Sequence, residues 1–75
     1  MLFFFHIQRE GHAILDEEGL DLPSVRDATH EARVSARELA IEALKTGRPI
    51  DGDRIEVVDD GGNAVVTVPV RSVLA

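Results

Sequence analysis

The stretch SVRDATHEARVSARELAIEALKTG, residues 24–47, decides the fold, because it predicts one long helix against which the rest of the chain must pack. Ser24 is a typical N-cap, and Asp27 three residues later supplies the acidic part of a capping-box-like start. Residues 25–46 contain neither glycine nor proline, and Gly47 is a typical stop signal. We therefore expect a helix over residues 25–46 with a length of about 33 Å.

The side chains of this helix divide into faces of different character. Small apolar residues share one stripe, which we expect to face the core: Val25, Ala28, Ala32, Ala36, Leu39 and Ala43. Like charges are stacked on the two flanks, arginines on one and acidic residues on the other: Arg26, Arg33 and Arg37 against Asp27, Glu31, Glu38 and Glu42. Such stacking slightly destabilises an isolated helix, so either each flank meets a partner of opposite charge or both flanks are solvated surface. On the back of the helix, Val34 and Ile41 together with Arg37 form a candidate helix–helix contact.

Strands are predicted on both sides of the helix. Residues 2–8 and 12–16 form one hairpin around the turn sequence REG, and residues 54–59 and 64–71 form a second around DDGGN. The order is ββαββ. We expect a single α+β domain over residues 1–75, a four-stranded, mostly antiparallel sheet with the helix packed on one face. The order of the strands stays open, and we favour the two most apolar ones, the first and the fourth, at the centre.

The three consecutive phenylalanines raise the question of what covers the second face of the sheet. Alternation in a strand sends Phe3 and Phe5 towards one face and their neighbours towards the other. The side chains expected on the second face are Leu2, Phe4, His6, Val65 and Thr67. A sheet with one solvated face alternates more cleanly than this. Either another protein covers the second face, most simply a second copy packed sheet to sheet, or a small patch stays exposed near the strand end.

Composition excludes several classes of protein. The net charge of −6 disfavours general binding to nucleic acid. With no cysteine in the chain, disulfides and thiolate zinc sites are excluded. No segment approaches the roughly 20 apolar residues of a membrane span, and the N-terminal apolar run is short and lacks the basic leader of a signal peptide. These features predict a cytoplasmic protein without nucleic-acid or membrane partners.

The residue types that carry catalysis or bind metal give one weak candidate site. His6 and His12 are expected to approach each other across the first hairpin, where the acids of residues 16–18 complete a candidate divalent-metal site. The aspartates Asp51, Asp53, Asp59 and Asp60 do not follow the spacing of a calcium loop, and we interpret them as turn residues. No serine has a histidine and an aspartate in a recognised pattern around it. We therefore expect no catalytic residue, cofactor or metal, and a protein that is not an enzyme.

A set of motifs in fixed order carries a resemblance to a known family. FFFH, LDEEGLDLP, the alanine-rich AxxEAxxxAxxLA helix, GRPIDG and VxDxxGxxVxTVPV resemble a family of small uncharacterised bacterial proteins, a domain of unknown function, over nearly the whole chain. The resemblance implies no activity and no catalytic residues. It points to a set of positions that are mostly turn and cap residues: His6, Asp16, Gly19, Leu22, Pro23, Gly52, Asp59 and Gly62. His6 is the exception, because a histidine within a strand is not a turn residue.

A fainter similarity, at the level of fold, connects the chain to the antitoxin domain of HicB-type toxin–antitoxin pairs. That domain also places a strand pair, a Leu-Pro segment and a helix rich in alanine and glutamate in this order. The glycine–cysteine loop motif of that family and its DNA-binding extension are absent from this chain. The resemblance is therefore an analogy of fold.

These observations lead to one functional hypothesis and two alternatives. The hypothesis is a small acidic, non-enzymatic protein-interaction module, most simply a homodimer. Its predicted contact residues lie on the second face of the sheet and on the helix: Leu2, Phe4, His6, Val34, Arg37, Ile41, Val65 and Thr67. The alternatives are an antitoxin-like regulator that binds a basic protein, motivated by the net charge, and a small metal- or ligand-binding protein, motivated by the histidines.

Overall fold

Helix α1 occupies Val25–Thr46, the span predicted from its two caps. The computed structural model describes residues 1–74, so Ala75, the last residue of the predicted domain, lies outside the described residues. The Ser24 hydroxyl accepts a hydrogen bond from the backbone N–H of Asp27 at 3.2 Å and donates one to the Asp27 carboxylate at 2.7 Å. Gly47 follows the helix with a φ of 72°, in the left-handed region that glycine adopts without strain.

The buried face of α1 is a stripe of alanines: Ala28, Ala32, Ala36, Ala40 and Ala43. Leu39 is half-buried and packs against this core, as predicted. Val25, predicted to face the core, is instead 39% exposed. It is the first residue of the helix and has no preceding turn beside it, so its side chain stays open to solvent.

The sheet has five strands, one more than predicted: β1 (Leu2–Arg9), β2 (His12–Ile14), β3 (Leu20–Asp21), β4 (Arg54–Asp59) and β5 (Ala64–Pro69). The pairings are antiparallel, and the order is β2-β1-β4-β5, with β3 also paired to β1. One edge of β1 pairs with β4, so the other edge of β1 pairs with both β2 and β3. Their registers against β1 differ by two residues, so β2 and β3 form one edge strand that a loop interrupts.

The central strands are β1 and β4, which correspond to the first and third predicted strands. The expectation of a central position is therefore confirmed for the first predicted strand and wrong for the fourth, which is β5. Strand β5 lies at the edge and ends at Pro69, after which Val70–Val73 forms a short 3₁₀ helix. Proline has no N–H to donate to a neighbouring strand, which suits an edge position. The valine content of this segment reflects its packing on the helix side, where Val68 and Val70 are buried.

The core lies between α1 and one face of the sheet. The large side chains that fill it come from the strands and the 3₁₀ helix: Phe3, Ile55, Val57, Val68 and Val70. The helix contributes only methyl groups at its fully buried positions, so the sheet supplies nearly all of the core volume. Within residues 1–74, no helix is both long and apolar enough to cross a membrane.

Candidate functional site

The face of the sheet turned away from α1, here called the open face, carries most of the predicted sheet contacts. Phe3 is buried against the helix, so alternation along β1 places Leu2, Phe4 and His6 on the open face. The register with β4 sets His6 beside Glu56. Thr67 pairs with Glu56 on its other side, so it lies on the open face too.

Val65 was predicted on the open face, but the structure places it against the core. The pairing between β4 and β5 shifts after Val57, which pairs with Val66, whereas Val58 pairs with Ala64. Val65 is therefore the extra residue of a β-bulge, and its half-buried side chain packs against the core. Strict alternation failed here because a bulge moves the side-chain pattern by one residue.

A hydrogen-bonded cluster around Asp16 completes the outer edge of β1. Phe5 lies between the residues of β1 that pair with β2 and those that pair with β3. Its N–H donates to Asp16 Oδ2 at 3.1 Å. Asp16 Oδ1 accepts the N–H groups of Glu18 and Gly19, each at 3.1 Å. The carboxylate thus replaces the carbonyl of a neighbouring strand and closes the loop between β2 and β3.

The environment of Asp16 favours its ionised form. Burial by itself raises the pKa of the Asp16 carboxyl, but the N–H groups of Phe5, Gly19 and Glu18 and the nearby His6 ring together outweigh burial. The net result is a pKa below the ordinary value of 3.8. At neutral pH the three hydrogen bonds are therefore made to a charged acceptor, which strengthens them.

His6 has a structural role in this cluster, which answers the question that its motif raised. The backbone N–H of Asp16 donates to His6 Nδ1 at 3.0 Å. An Nδ1 atom that accepts a hydrogen bond carries no proton, so the ring in this arrangement bears its proton on Nε2. The ring stacks on Phe4 with centroids 6.4 Å apart and planes inclined by 16°. His6 is thus a positioning residue for the Asp16 loop.

The loop also packs on the open face. Gly19 has a φ of +75°, and a Cβ atom placed on it would lie 3.0 Å from Leu2 Cδ1, from the carbonyl oxygen of Phe3 and from Phe4 Cε1. The backbone of Gly19 therefore packs directly against these residues. Phe4 is half-buried as a result, and the protein's own loop supplies part of the cover that we expected from a partner.

The candidate metal site does not assemble. His12 pairs with Arg9, which lies three residues after His6 in β1. Residues three apart in a strand face opposite sides of the sheet, so the two histidines do not approach each other. Among the residues that the structure describes, no group of three or more His, Cys, Asp or Glu side chains is placed to hold a metal ion.

Two of the aspartates interpreted as turn residues, Asp59 and Asp53, bind groups in the loops at the two ends of β4. Asp59 Oδ1 accepts the N–H groups of Gly61 at 3.0 Å and Asn63 at 2.9 Å, which confirms the interpretation of Asp59 as a turn residue. The N–H of Asn63 lowers the pKa of the Asp59 carboxyl against a smaller opposing effect of burial. Asp53 differs, because it is 4% exposed and bound at 2.7 Å to Arg48 Nη1 in an ion pair. That pair holds the connection between α1 and β4.

An apolar groove lined in part by arginines lies between the C-terminal half of α1 and the 3₁₀ helix. Two adjoining cavities of about 450 and 220 Å³ form it, and they share Ala40, Leu44 and Leu74. The remaining apolar lining includes Ile41, Ala43, Pro49, Ile50 and Val73. The charged lining residues are Arg37 in the smaller cavity and Arg48 and Asp51 in the larger one. We call this surface the arginine-rimmed groove. Leu44 is 78% exposed, Leu74 57% and Ile41 54%, so the groove holds the most exposed leucine of the described residues, Leu44.

The structure brings together only part of the predicted helix contact. Arg37 and Ile41 line the arginine-rimmed groove, whereas Val34 is half-buried and does not line it. Sequence reasoning missed Leu44 and Leu74. Leu44 lies three residues after Ile41 on the helix surface, so helical spacing was a signal for it. Leu74 had no such signal, because it follows a 3₁₀ helix that the sequence did not predict.

Comparison with known proteins gives a family but no activity. The sequence profile of a family described as a domain of unknown function, DUF6894, matches residues 2–71. No curated protein and no solved structure matches the chain. The predicted resemblance to a domain of unknown function is therefore confirmed, and the fainter similarity to HicB-type antitoxin domains is not shown.

Proposed function

The chain belongs to the DUF6894 family, whose function is unknown, and we propose that it is a non-enzymatic protein-interaction module that binds a second copy of itself. The observation that carries the proposal is the arginine-rimmed groove. A contiguous exposed apolar surface marks an interaction site, and arginine is among the residues enriched where proteins meet. A homodimer is the simplest product of such an interaction.

Exposure favours the arginine-rimmed groove over the open face as the docking surface. On the open face, Phe4 is half-buried and Gly19 packs against it. In the groove, Leu44 keeps 78% of its surface exposed, so it has the most apolar area to gain from a partner. We therefore place the interaction at Arg37, Ile41 and Leu44 of the helix rather than at the phenylalanines.

Local charge favours a second copy as the partner, although two chains of net charge −6 repel each other overall. Arg37 is the one charged residue among the described residues that line the smaller cavity, so an acidic segment of another copy meets a positive charge there. Size favours the same partner, because a chain of 75 residues buries only about 60% of its unfolded surface and small domains commonly gain stability by self-association.

Analytical ultracentrifugation from micromolar to near-millimolar concentration tests this proposal. We expect the wild-type chain to assemble, and Leu44→Glu to shift it towards monomer while its circular dichroism stays unchanged. Val25→Glu is the matched control, since Val25 is also an exposed apolar residue of α1 but lies at its first turn, far from the groove. A wild-type chain that stays monomeric throughout would refute self-association.

Thr67→Lys tests the rival surface, because Thr67 is exposed on the open face and lies beside Glu56. If Thr67→Lys dissociates the assembly and Leu44→Glu does not, the interface is on the open face. That outcome would assign the interface to the open face and would leave the proposed self-association standing.

A further inference from the structure

We propose that the arginine-rimmed groove is filled by the loop edge of a second copy, so that copies associate head to tail. We call residues 14–20, ILDEEGL, the acidic edge. This inference rests on the proposed function, because it names which part of the second copy binds. It joins two exposed, partly apolar surfaces of the same chain, of which one carries Glu17 and Glu18 and the other carries Arg37.

The acidic edge presents apolar and negative side chains together. Leu15 is 64% exposed, and Ile14 and Leu20 on either side of the loop are exposed as well. Glu17 and Glu18 are exposed between them. No lysine or arginine occurs between His12 and Arg26, so the segment has no positive charge of its own. Exposed leucines among glutamates are what an apolar groove with arginines recognises.

The acidic edge is held in one shape before it binds. The Asp16 carboxylate accepts three backbone N–H groups, and His6 accepts the N–H of Asp16. Asp16 is turned inward by these bonds, which leaves Leu15, Glu17 and Glu18 as the residues presented outward. A segment already ordered in the free protein loses less conformational entropy on binding than a flexible one.

The groove offers the matching features. Leu44 and Leu74 are the exposed apolar pair that Leu15 of another copy contacts. Arg37 is the one charged residue among the described residues that line the smaller cavity, and it is the partner we assign to Glu17 or Glu18, which follow Leu15 in the acidic edge. Arg48 lines the larger cavity, where it is already paired with Asp53 and lies near Asp51. The smaller cavity, about 220 Å³ and bounded by Arg37, Ile41 and Leu74, is large enough for one leucine side chain.

The positions of the two surfaces make the contact head to tail. The acidic edge belongs to the β2–β3 side of the sheet, whereas the groove adjoins the 3₁₀ helix that follows β5 on the opposite side. When the groove of one copy binds the acidic edge of another, the pair still has one free groove and one free acidic edge. Such an association adds further copies until it closes into a ring or continues as an open chain.

Mixing two variants tests this arrangement directly. Leu44→Glu destroys the groove and keeps the acidic edge, whereas Leu15→Lys destroys the acidic edge and keeps the groove. Each variant alone is expected to lose self-association by about 30-fold or more, since each removes one buried leucine contact. Their mixture is expected to form a 1:1 heterodimer and nothing larger, with an affinity close to that of one wild-type contact. Sedimentation velocity measures both, and thermal unfolding shows that each variant is folded.

The other outcomes are decisive in different ways. If Leu44→Glu dissociates the assembly but Leu15→Lys does not, the groove binds another groove, and the head-to-tail arrangement is wrong while self-association stands. If both variants dissociate but their mixture stays monomeric, the two surfaces do not bind each other. If the wild-type chain never associates, both this inference and the proposed function fail. Val25→Glu and Thr67→Lys serve as controls that should assemble like the wild type.

Discussion

Two turns of this molecule are each held by an aspartate, and they differ in how far that aspartate reaches. Asp59 accepts N–H groups from Gly61 and Asn63, both inside its own turn. Asp16 accepts local N–H groups too, but it also accepts that of Phe5, which lies 11 residues earlier in another strand. The first aspartate shapes a hairpin, whereas the second joins a loop to the middle of the sheet.

The contrast shows what kind of turn can be recognised in a sequence. DDGGN contains every partner that Asp59 uses, so the turn was predictable from those residues alone. DEEG contains only two of the partners of Asp16, and the third becomes a neighbour only when β1 and the loop are already packed. The two pKa values are lowered for correspondingly different reasons. Asp59 is affected mainly by the N–H of Asn63, whereas at Asp16 three backbone bonds and His6 overcome burial.

Alanine at one glycine of each turn gives the largest predicted difference. Gly19 and Gly62 have similar φ values of 75° and 81°, but an added Cβ meets three atoms at 3.0 Å at Gly19 and none within 4 Å at Gly62. We expect Gly62→Ala to lower the free energy of unfolding by about 1 kcal/mol through backbone strain alone. Gly19→Ala should lower it by about 3 kcal/mol, because overpacking against Leu2 and Phe4 adds to the strain. Urea unfolding measures both, and equal losses would mean that the Asp16 loop moves away from the sheet at no cost.

Asparagine at the two aspartates gives an intermediate effect that depends on pH. At neutral pH, Asp16→Asn should lower the free energy of unfolding by about 2 kcal/mol, because it removes a charged acceptor from three N–H groups. Asp59→Asn should cost less, since its turn is exposed and local. A carboxyl whose pKa is lowered on folding stabilises the protein above the unfolded value of 3.8 and loses that contribution as the pH falls through the folded value.

The wild-type chain should therefore lose stability on acidification from pH 5 towards pH 3, and Asp16→Asn should show a shallower loss over the same range. Urea unfolding at several pH values measures the slopes. Parallel curves for the wild type and Asp16→Asn would show that Asp16 does not bind its N–H partners as a carboxylate in solution.

Replacement of His6 gives the smallest predicted effect and tests the second half of the cluster. His6→Phe removes the acceptor for the Asp16 N–H and should cost about 1 kcal/mol, whereas His6→Asn keeps an oxygen near the Nδ1 position and should cost less. In the wild type, nitrogen NMR of the neutral ring should show the proton on Nε2. A proton on Nδ1 would contradict the hydrogen bond and with it the positioning role of His6.

Local and alternating signals predicted most of the fold. The caps at Ser24 and Gly47 gave both helix ends, and alternation along β1 gave the core side of Phe3. The errors came where a residue depends on distant neighbours. The bulge at Val65 turned that side chain from the predicted open face to the core. The Asp16 loop shifts the register of the outer edge strand by two residues and so divides this strand into β2 and β3.

The candidate site was predictable only in its outline. Arg37 and Ile41 were recognised from helical spacing, and both line the arginine-rimmed groove. The groove itself needs Leu74, whose position depends on the 3₁₀ helix after Pro69. The candidate metal site placed His6 near the acids of residues 16–18, but the hydrogen bond from the Asp16 N–H to His6 was not predicted. A hydrogen bond between a strand side chain and a loop backbone leaves no pattern in one sequence.

The interrupted edge strand also affects how the chain behaves when copies of it are unfolded. An extended segment that approaches this side of the sheet meets three residues of β2 and then two of β3 in a different register, with a loop between them. On the other side it meets β5, which ends in a proline. Neither border offers a long, regular row of backbone groups on which a foreign strand can add, and that addition is how amyloid fibres recruit new chains. We therefore expect the folded protein to be a poor template for its own misfolded copies.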